Sequence, residues 1–536
     1  MQTLVRSIVL AAALLPAVVT HSVSAKSDKS ITLVPLGRYT SLPFQFDQGA
    51  VEISAYDPQT KRAFLTFAEQ PHVEAVGLTD PNNPFLAFTI DLSPFGGPDV
   101  HATSVAVRDG VVAVAVPQGE DDTAPGKVVF FDVHGNFLSV VTVGALPDML
   151  TFTPNGKYVL TANEGQPRSD YTFDPEGSVS IIDMSVGAAN LTDDDVTTAG
   201  FAEFNSEPID PRIRIFGPGA TVAQDLEPEY LAVSHDSQTV WVTLQENNAL
   251  AILDLKQKKV TKLVALGFKD HSVSPNGLDA GVTDGVNIVT RPVLGMYQPD
   301  AIAALHRGNR TYLVTANEGD VREYDGLDAP KDEDQDVESV EIEDIDLDPI
   351  AFPNAAALKA AIGKLKVTSF DGDADNDGLY DKLYAFGGRS FSVWDENGEL
   401  VFDSGDEIEK RTAAAFPTRF NASNTSNALD NRSDDKGPEP EGVTIAKLFG
   451  RDYLLVVLER IGGVMVYDLT NPAAPQFEQY INTRNFSFAP NSGNAGDLGA
   501  EAGRVIGEDE SPTGKPLLIV SNEVSGTLRV FEILQN

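Results

Sequence analysis

Between Glu229 and Ala265 the apolar positions fall into four short runs: Tyr230-Leu231-Ala232-Val233, Thr239-Val240-Trp241-Val242-Thr243, Ala249-Leu250-Ala251-Ile252-Leu253 and Lys259-Val260-Thr261-Lys262-Leu263-Val264. Polar turns, His235-Asp236-Ser237-Gln238 and Lys256-Gln257-Lys258, separate them. Runs this short and this rich in β-branched residues predict strands rather than helices. Similar units begin near Glu52, His101, Asp148, Asp300, Glu441 and Glu501, which makes seven. Four-stranded units of about 40 residues are the sequence form of propeller blades. The last unit holds three strands, while Ile31 to Leu36 is a spare strand without a unit of its own. Pairing the two closes the ring and leaves no exposed sheet edge. The expectation is an all-β, seven-bladed β-propeller closed by its N-terminal strand, with eight blades as the alternative.

Two units carry insertions after their second strand, a modest one from Gln166 to Glu176 and a long one from about Asp320 to Arg389. The long insertion contains an acidic stretch from Asp332 to Asp348 and a helical run from Asn354 to Ile362 ended by Gly363. A third irregular stretch, Asn421 to Pro440, links two units. All three are expected on one face of the propeller.

Carboxylates recur in register with these units. An acid opens one strand and a glutamate closes the next, 16 to 22 residues later: Asp148 with Glu164, Glu229 with Glu246, Asp300 with Glu318, Glu441 with Glu459 and, more loosely, Glu501 with Glu523 and Glu52 with Glu69. In an up-down sheet the start of one strand lies beside the end of the next. The pairs should therefore form a ring at the channel mouth. Close like charges raise one another's pKa or need cations between them, and oxygen-only ligands suit calcium, magnesium, manganese or iron. The alternative role for each glutamate is capping backbone N–H groups at its own blade edge.

A separate motif, Asp373-Ala374-Asp375-Asn376-Asp377-Gly378-Leu379-Tyr380-Asp381, alternates carboxylates around a glycine turn. Asp373, Asp375, Asp377 and Asp381 are thus predicted to hold Ca²⁺ in a hairpin loop that staples the insertion, rather than an EF-hand, whose twelfth position here is Tyr384. Basic residues near the ring, Arg460, Arg322, Arg389 and Lys436, are candidates to grip a phosphate or sulfate oxyanion, with ion pairs to ring glutamates as the competing role. His101 opens a unit where the others have an acid, so it too is a candidate ligand.

Composition narrows the classes. The chain has 536 residues and no cysteine, which excludes disulfides, thiolate catalysis and cysteine-ligated zinc. A formal charge of −40 argues against nucleic acid and anionic lipid as partners. Residues 1–25 read as a signal peptide, with Val23-Ser24-Ala25 at the cleavage positions, followed by a single domain from 26 to 536. No other segment is long and apolar enough to span a membrane. A soluble, exported, monomeric protein, periplasmic or secreted, is expected. Neither a Gly-x-Ser-x-Gly elbow nor a His-Glu-x-x-His motif is present, so no nucleophile can be ranked.

The segments Leu146-Pro147-Asp148, Thr161-Ala162-Asn163-Glu164-Gly165, Gln245-Glu246-Asn247-Asn248, Gly295-Met296-Tyr297-Gln298-Pro299-Asp300, Thr315-Ala316-Asn317-Glu318-Gly319-Asp320 and Leu458-Glu459-Arg460-Ile461-Gly462-Gly463 resemble the choice-of-anchor I family over nearly all of the mature chain. That family groups exported bacterial propellers with a cell-surface glycoprotein, and its members often carry an alkaline-phosphatase label. Two departures stand out. Gly499-Ala500-Glu501-Ala502 replaces a Gly-Pro-Glu-Gly pattern, and no anchoring tail follows Glu532. The resemblance implies a metal-dependent phosphoesterase acting on a small anionic substrate, with Ca²⁺ and a second divalent or iron ion at the ring. The competing readings are a calcium-stabilised extracellular binding or adhesion propeller, and a carbohydrate lyase or lactonase.

Overall fold

The computed structural model describes residues 30–44, 46–119, 122–322 and 338–536. The signal-peptide reading and part of the acidic stretch after Asp332 lie outside the described residues. The described chain is all-β apart from short helices, and its sheets are almost wholly antiparallel. Seven sheets have four strands and an eighth has five. The unit read from Glu229 forms Pro228–Val233, Thr239–Leu244, Ala249–Asp254 and Lys259–Ala265, in that spatial order. Its second strand is buried almost throughout, while Lys259–Ala265 alternates toward solvent. That gradient from core to rim is what a blade seen edge-on requires. The first strands of the seven four-stranded sheets touch in chain order, and Ala500–Ile506 of the last touches Ala50–Asp57 of the first. The result is a β-propeller.

Closure follows the expected route. Ile31–Thr40 pairs antiparallel with Thr527–Gln535, opposing Ile31 to Gln535 and Pro35 to Phe531. Ile31 and Leu33 are 1% exposed, packed among Leu518, Phe531 and Ile533.

The eighth sheet was not foreseen. Ser339–Glu341, Lys366–Thr368 and Tyr384–Ala385 of the long insertion join Leu294–Met296 and Phe268–Asp270, from the chain just before the fifth four-stranded sheet. Its Leu294-to-Tyr384 pairing is parallel. The helix Ala355–Ile362 lies in the insertion as expected, with Gly363 after it. Ion pairs fix the insertion to the propeller: Arg214 binds Glu338 in a buried pair and, at 3.0 Å, the exposed Asp371.

Candidate metal centre

One backbone device, repeated around the ring, delivers the carboxylates. In five sheets the first strand has a register shift where its acid stands, between Ala50 and Ser54, Pro147 and Leu150, Pro228 and Leu231, Pro440 and Val443, and Ala500 and Gly503. A bulge of this kind re-aims one side chain, here Glu52, Asp148, Glu229, Glu441 and Glu501. Two residues ahead of four of the ring acids the backbone is left-handed, at Leu146 (φ 44°), Gln298 (φ 41°), Glu439 (φ 51°) and Gly499 (φ 67°). Three of the four are not glycine, so the conformation costs energy that the surrounding structure must supply. The carbonyls of these residues accept from the next tip: Glu164 N–H donates to Leu146 at 2.8 Å, Gly319 N–H to Gln298 at 3.1 Å, Glu459 N–H to Glu439 at 2.9 Å, and Glu523 N–H to Gly499 at 2.8 Å. Backbone thus satisfies backbone at the blade edges. Among the described residues, no ring glutamate side chain accepts from a backbone N–H of another residue, so capping is not what occupies these carboxylates there.

The consequence is a cavity of about 450 Å³ lined by Asp148, Glu164, Glu229, Glu246, Asp300, Glu318, Glu441, Glu459, Glu501 and Glu523. All ten predicted ring acids are there. The looser partner Glu69 is not; it is exposed. Gln166, Gln245, Asp320, Val321, Arg322, Lys436 and Arg460, from the insertions, tips and linker, complete the wall.

The ring is not uniform. Carboxylate oxygens of Asp148, Glu164 and Glu229 lie within 4.8 Å of one another, and those of Glu318, Glu439 and Glu459 form a second such trio. Among the described residues, no basic side chain bonds any member of the first trio. Burial pushes Asp148 up to about 6. Burial, then the charges of Glu227, Glu246 and Asp148, raises Glu164, and burial followed by Glu164 and Asp148 raises Glu229. Glu246 beside them is pushed up to about 7, chiefly by burial. Asp300, Glu441 and Glu501 are raised for the same reason, burial first and neighbouring acids next. The second trio is threaded with cations. Lys436 Nζ lies 2.6 Å from Glu318 and 3.4 Å from Glu439, and Arg460 lies 2.8 Å from Glu439 and 2.9 Å from Glu459. Arg432 adds a contact of 2.7 Å to Glu439. Although burial opposes it, Arg432, Arg460 and Lys436 hold Glu439 far below the usual carboxylate range.

The first trio and its neighbours fit a hard cation. Glu246 Oε2, beside the trio, is buried with no hydrogen-bond partner, a costly state for a carboxylate oxygen unless a cation meets it; Glu441 Oε2, farther round the ring beside Glu318, Glu501 and Asp300, is unpartnered too. The donor set is all oxygen, which suits calcium, magnesium or manganese.

The basic candidates separate. Arg460 lines the cavity beside Glu439 and Glu459, as expected. Arg322 reaches the wall, yet its guanidinium is 1% exposed and committed to Asp225 and Glu227, with Phe216 stacked at 4.4 Å. Arg389 is not at the cavity. It binds Glu409 and the Asp279 carbonyl on one side, and the Ser433 and Asp435 carbonyls on the other. Both arginines were expected to face an oxyanion; long-range carboxylates and carbonyls claim them instead. His101 faces Asp122 at 3.6 Å and does not line the cavity.

In the hairpin loop, carboxylate oxygens of Asp373, Asp375 and Asp381 lie within 4.8 Å of one another. Asp377 stands outside that group and accepts from Leu379 N–H at 2.9 Å. Glu439, Glu227 and Gln245 were missed in the sequence. Glu439 had a signal: it stands two residues before Glu441, the place of Leu146 before Asp148 and Gln298 before Asp300.

A family model described as the choice-of-anchor I domain matches residues 52–472. Gigasin-3a of Magallana gigas is 33% identical over 186 residues, covering 32% of this chain and 65% of that protein. The mesenchyme-specific cell surface glycoprotein of Strongylocentrotus purpuratus is 27% identical over 278 residues, covering 46% of this chain and 35% of that protein. The chain therefore spans less than two thirds of the length of either relative. Among solved structures, Kuenenia stuttgartiensis hydrazine synthase aligns with a TM-score of 0.45 at 11% identity over 93% of this chain and 99% of that one. The WD40 domain of Toxoplasma gondii coronin gives 0.44 at 8% identity, over 95% and 89%.

Proposed function

The chain belongs to the choice-of-anchor I domain family, and on that premise we propose that it is an exported, seven-bladed propeller whose acidic mouth is the metal centre of a phosphoesterase. The observation that carries the reading is the trio Asp148, Glu164 and Glu229, its members half-buried or buried, with the unpartnered oxygen of Glu246 beside it. A divalent cation bound there supplies Lewis acidity toward a phosphoryl oxygen and a water acidified toward neutral pH. The protein's own residues do the rest. Asp148, Glu164, Glu229 and Glu246 hold the cation, and the bulged strands fix their geometry before binding. Arg460, the most exposed of the cavity's basic side chains at 26%, is the group placed to meet a substrate oxyanion. The Asp373, Asp375 and Asp381 loop is a second, structural Ca²⁺ site that stiffens the insertion. Similarity to the mesenchyme-specific cell surface glycoprotein of Strongylocentrotus purpuratus supports an extracellular setting.

A second reading, a cation-stabilised binding propeller without turnover, is favoured by one observation: Arg460 Nε and Nη1 are paired with Glu439 and Glu459. One experiment separates the two. Purified protein is analysed for bound metal and assayed on p-nitrophenyl phosphate, with and without chelator, beside a Glu164→Gln, Glu229→Gln double variant. The phosphoesterase reading expects chelator-sensitive hydrolysis that the double variant loses along with its metal. Bound metal lost in the variant, with no hydrolysis in wild type, establishes the binding propeller instead.

A further inference from the structure

The two acid trios at the mouth differ in their contents. Around Asp148, Glu164 and Glu229 no ammonium or guanidinium is within ion-pairing reach among the described residues, and Glu246, 5% exposed, turns an unpartnered oxygen into the same cavity. In the other trio an ammonium already sits among the oxygens. Lys436 Nζ has three acceptors, Glu318 Oε1 at 2.6 Å, Asp320 Oδ1 at 3.3 Å and Glu439 Oε2 at 3.4 Å. Three acceptors match the three N–H groups of an ammonium. The side chain is 8% exposed, so this is an internal cation and not a surface lysine resting on an acid.

Its placement is built. Arg389 grips the carbonyls of Ser433 and Asp435 just ahead of Lys436, and Gly437 at φ 72° donates its N–H to the Arg432 carbonyl at 2.9 Å. Arg432 also pairs with Asp435 at 3.0 Å. The linker is thus pinned on both sides of the lysine.

We infer that Lys436 is the resident cation of the Glu318–Glu439–Glu459 half, standing where a second divalent ion would otherwise bind, and that it thereby fixes the number of metal ions at the mouth. The inference rests on the metal reading above and refines it: the metal half is Asp148, Glu164, Glu229 and Glu246, and the other half is neutralised by the protein's own side chains.

The test is calcium content per chain, measured by mass spectrometry of the full-length protein equilibrated with calcium chloride and desalted. Lys436→Gln removes the charge and should gain about one ion relative to wild type, because the vacated oxygens form a hard-cation site. Glu164→Gln should lose an ion. Glu318→Gln, which leaves the metal half untouched, should keep the wild-type count, and this arm stands even if Lys436→Gln does not fold. A folded Lys436→Gln protein with the wild-type count, or a Glu318→Gln protein that loses calcium as Glu164→Gln does, overturns the inference while leaving the metal reading intact. A wild-type protein with no calcium sensitive to Glu164→Gln overturns both.

Discussion

Arg322 offers the sharpest test of whether the basic residues at the mouth bind substrate or hold the wall. Its guanidinium donates to Glu227 at 3.0 Å, to Asp225 Oδ1 at 3.2 Å and to the Asp225 carbonyl at 2.9 Å, and both acids are at most 1% exposed. Replacing it with methionine keeps the volume and strands two buried carboxylates. Breaking a buried pair in this way costs about 3–5 kcal/mol. Unfolding entropy near the midpoint is about 2 cal/mol/K per residue, so for a chain of 536 residues a loss of about 4 kcal/mol corresponds to roughly 3–4 °C in Tm. Differential scanning fluorimetry reads this directly. Adding Glu227→Gln to Arg322→Met should recover part of the loss, since one stranded charge is gone. A Tm within 1 °C of wild type, combined with a raised KM for a phosphate ester, would refute the bracing role and restore Arg322 as a substrate contact.

Three further outcomes are expected. Asp375→Ala should remove the calcium dependence of thermal stability that belongs to the hairpin loop, so that adding calcium to chelated protein raises Tm less in the variant than in wild type. His271 is buried and donates through Nδ1 to the Asn276 carbonyl at 2.7 Å; burial, then Lys269, pushes it down to about 3. A depressed histidine contributes stability that is present above the unfolded pKa near 6.5 and is lost as pH falls toward 3, about 2 kcal/mol by pH 5; His271→Gln should therefore lose less Tm than wild type between pH 7.5 and 5. Leu33→Ala should cost about 2–5 kcal/mol because the closing strand buries that side chain, whereas Val34→Ala, at a position 37% exposed, should be nearly silent in chemical denaturation.

The blades and the ring were legible because both repeat. A run such as Thr239 to Thr243 needs only alternation and its turns to be read as a strand, and Asp148 and Glu229 announce themselves by standing at the same place in successive units. The basic residues do not repeat. Arg389 meets Asp279 and Asp435, Arg322 meets Asp225 and Glu227, and nothing local distinguishes these arginines from Arg460, which does face the cavity. Asp377 had the right spacing for a ligand, but its oxygens lie outside the group that Asp373, Asp375 and Asp381 form. The five-stranded sheet escaped notice for a similar reason: its strands are two or three residues long, and its parallel pair joins Leu294 to Tyr384 across a long stretch of chain.

The closing strand also decides how the propeller bears load. Ile31 lies opposite Gln535, and Asn536 N–H donates to the Ser30 carbonyl, so both ends of the pair leave the sheet at the same corner. Force applied through both ends would peel the antiparallel pair one hydrogen bond at a time, the weak direction for a sheet. Force applied at one end while the far face holds a ligand would instead be shared by the whole blade. Such a molecule is strong when gripped between one terminus and its mouth, and opens like a zip when pulled by its two termini.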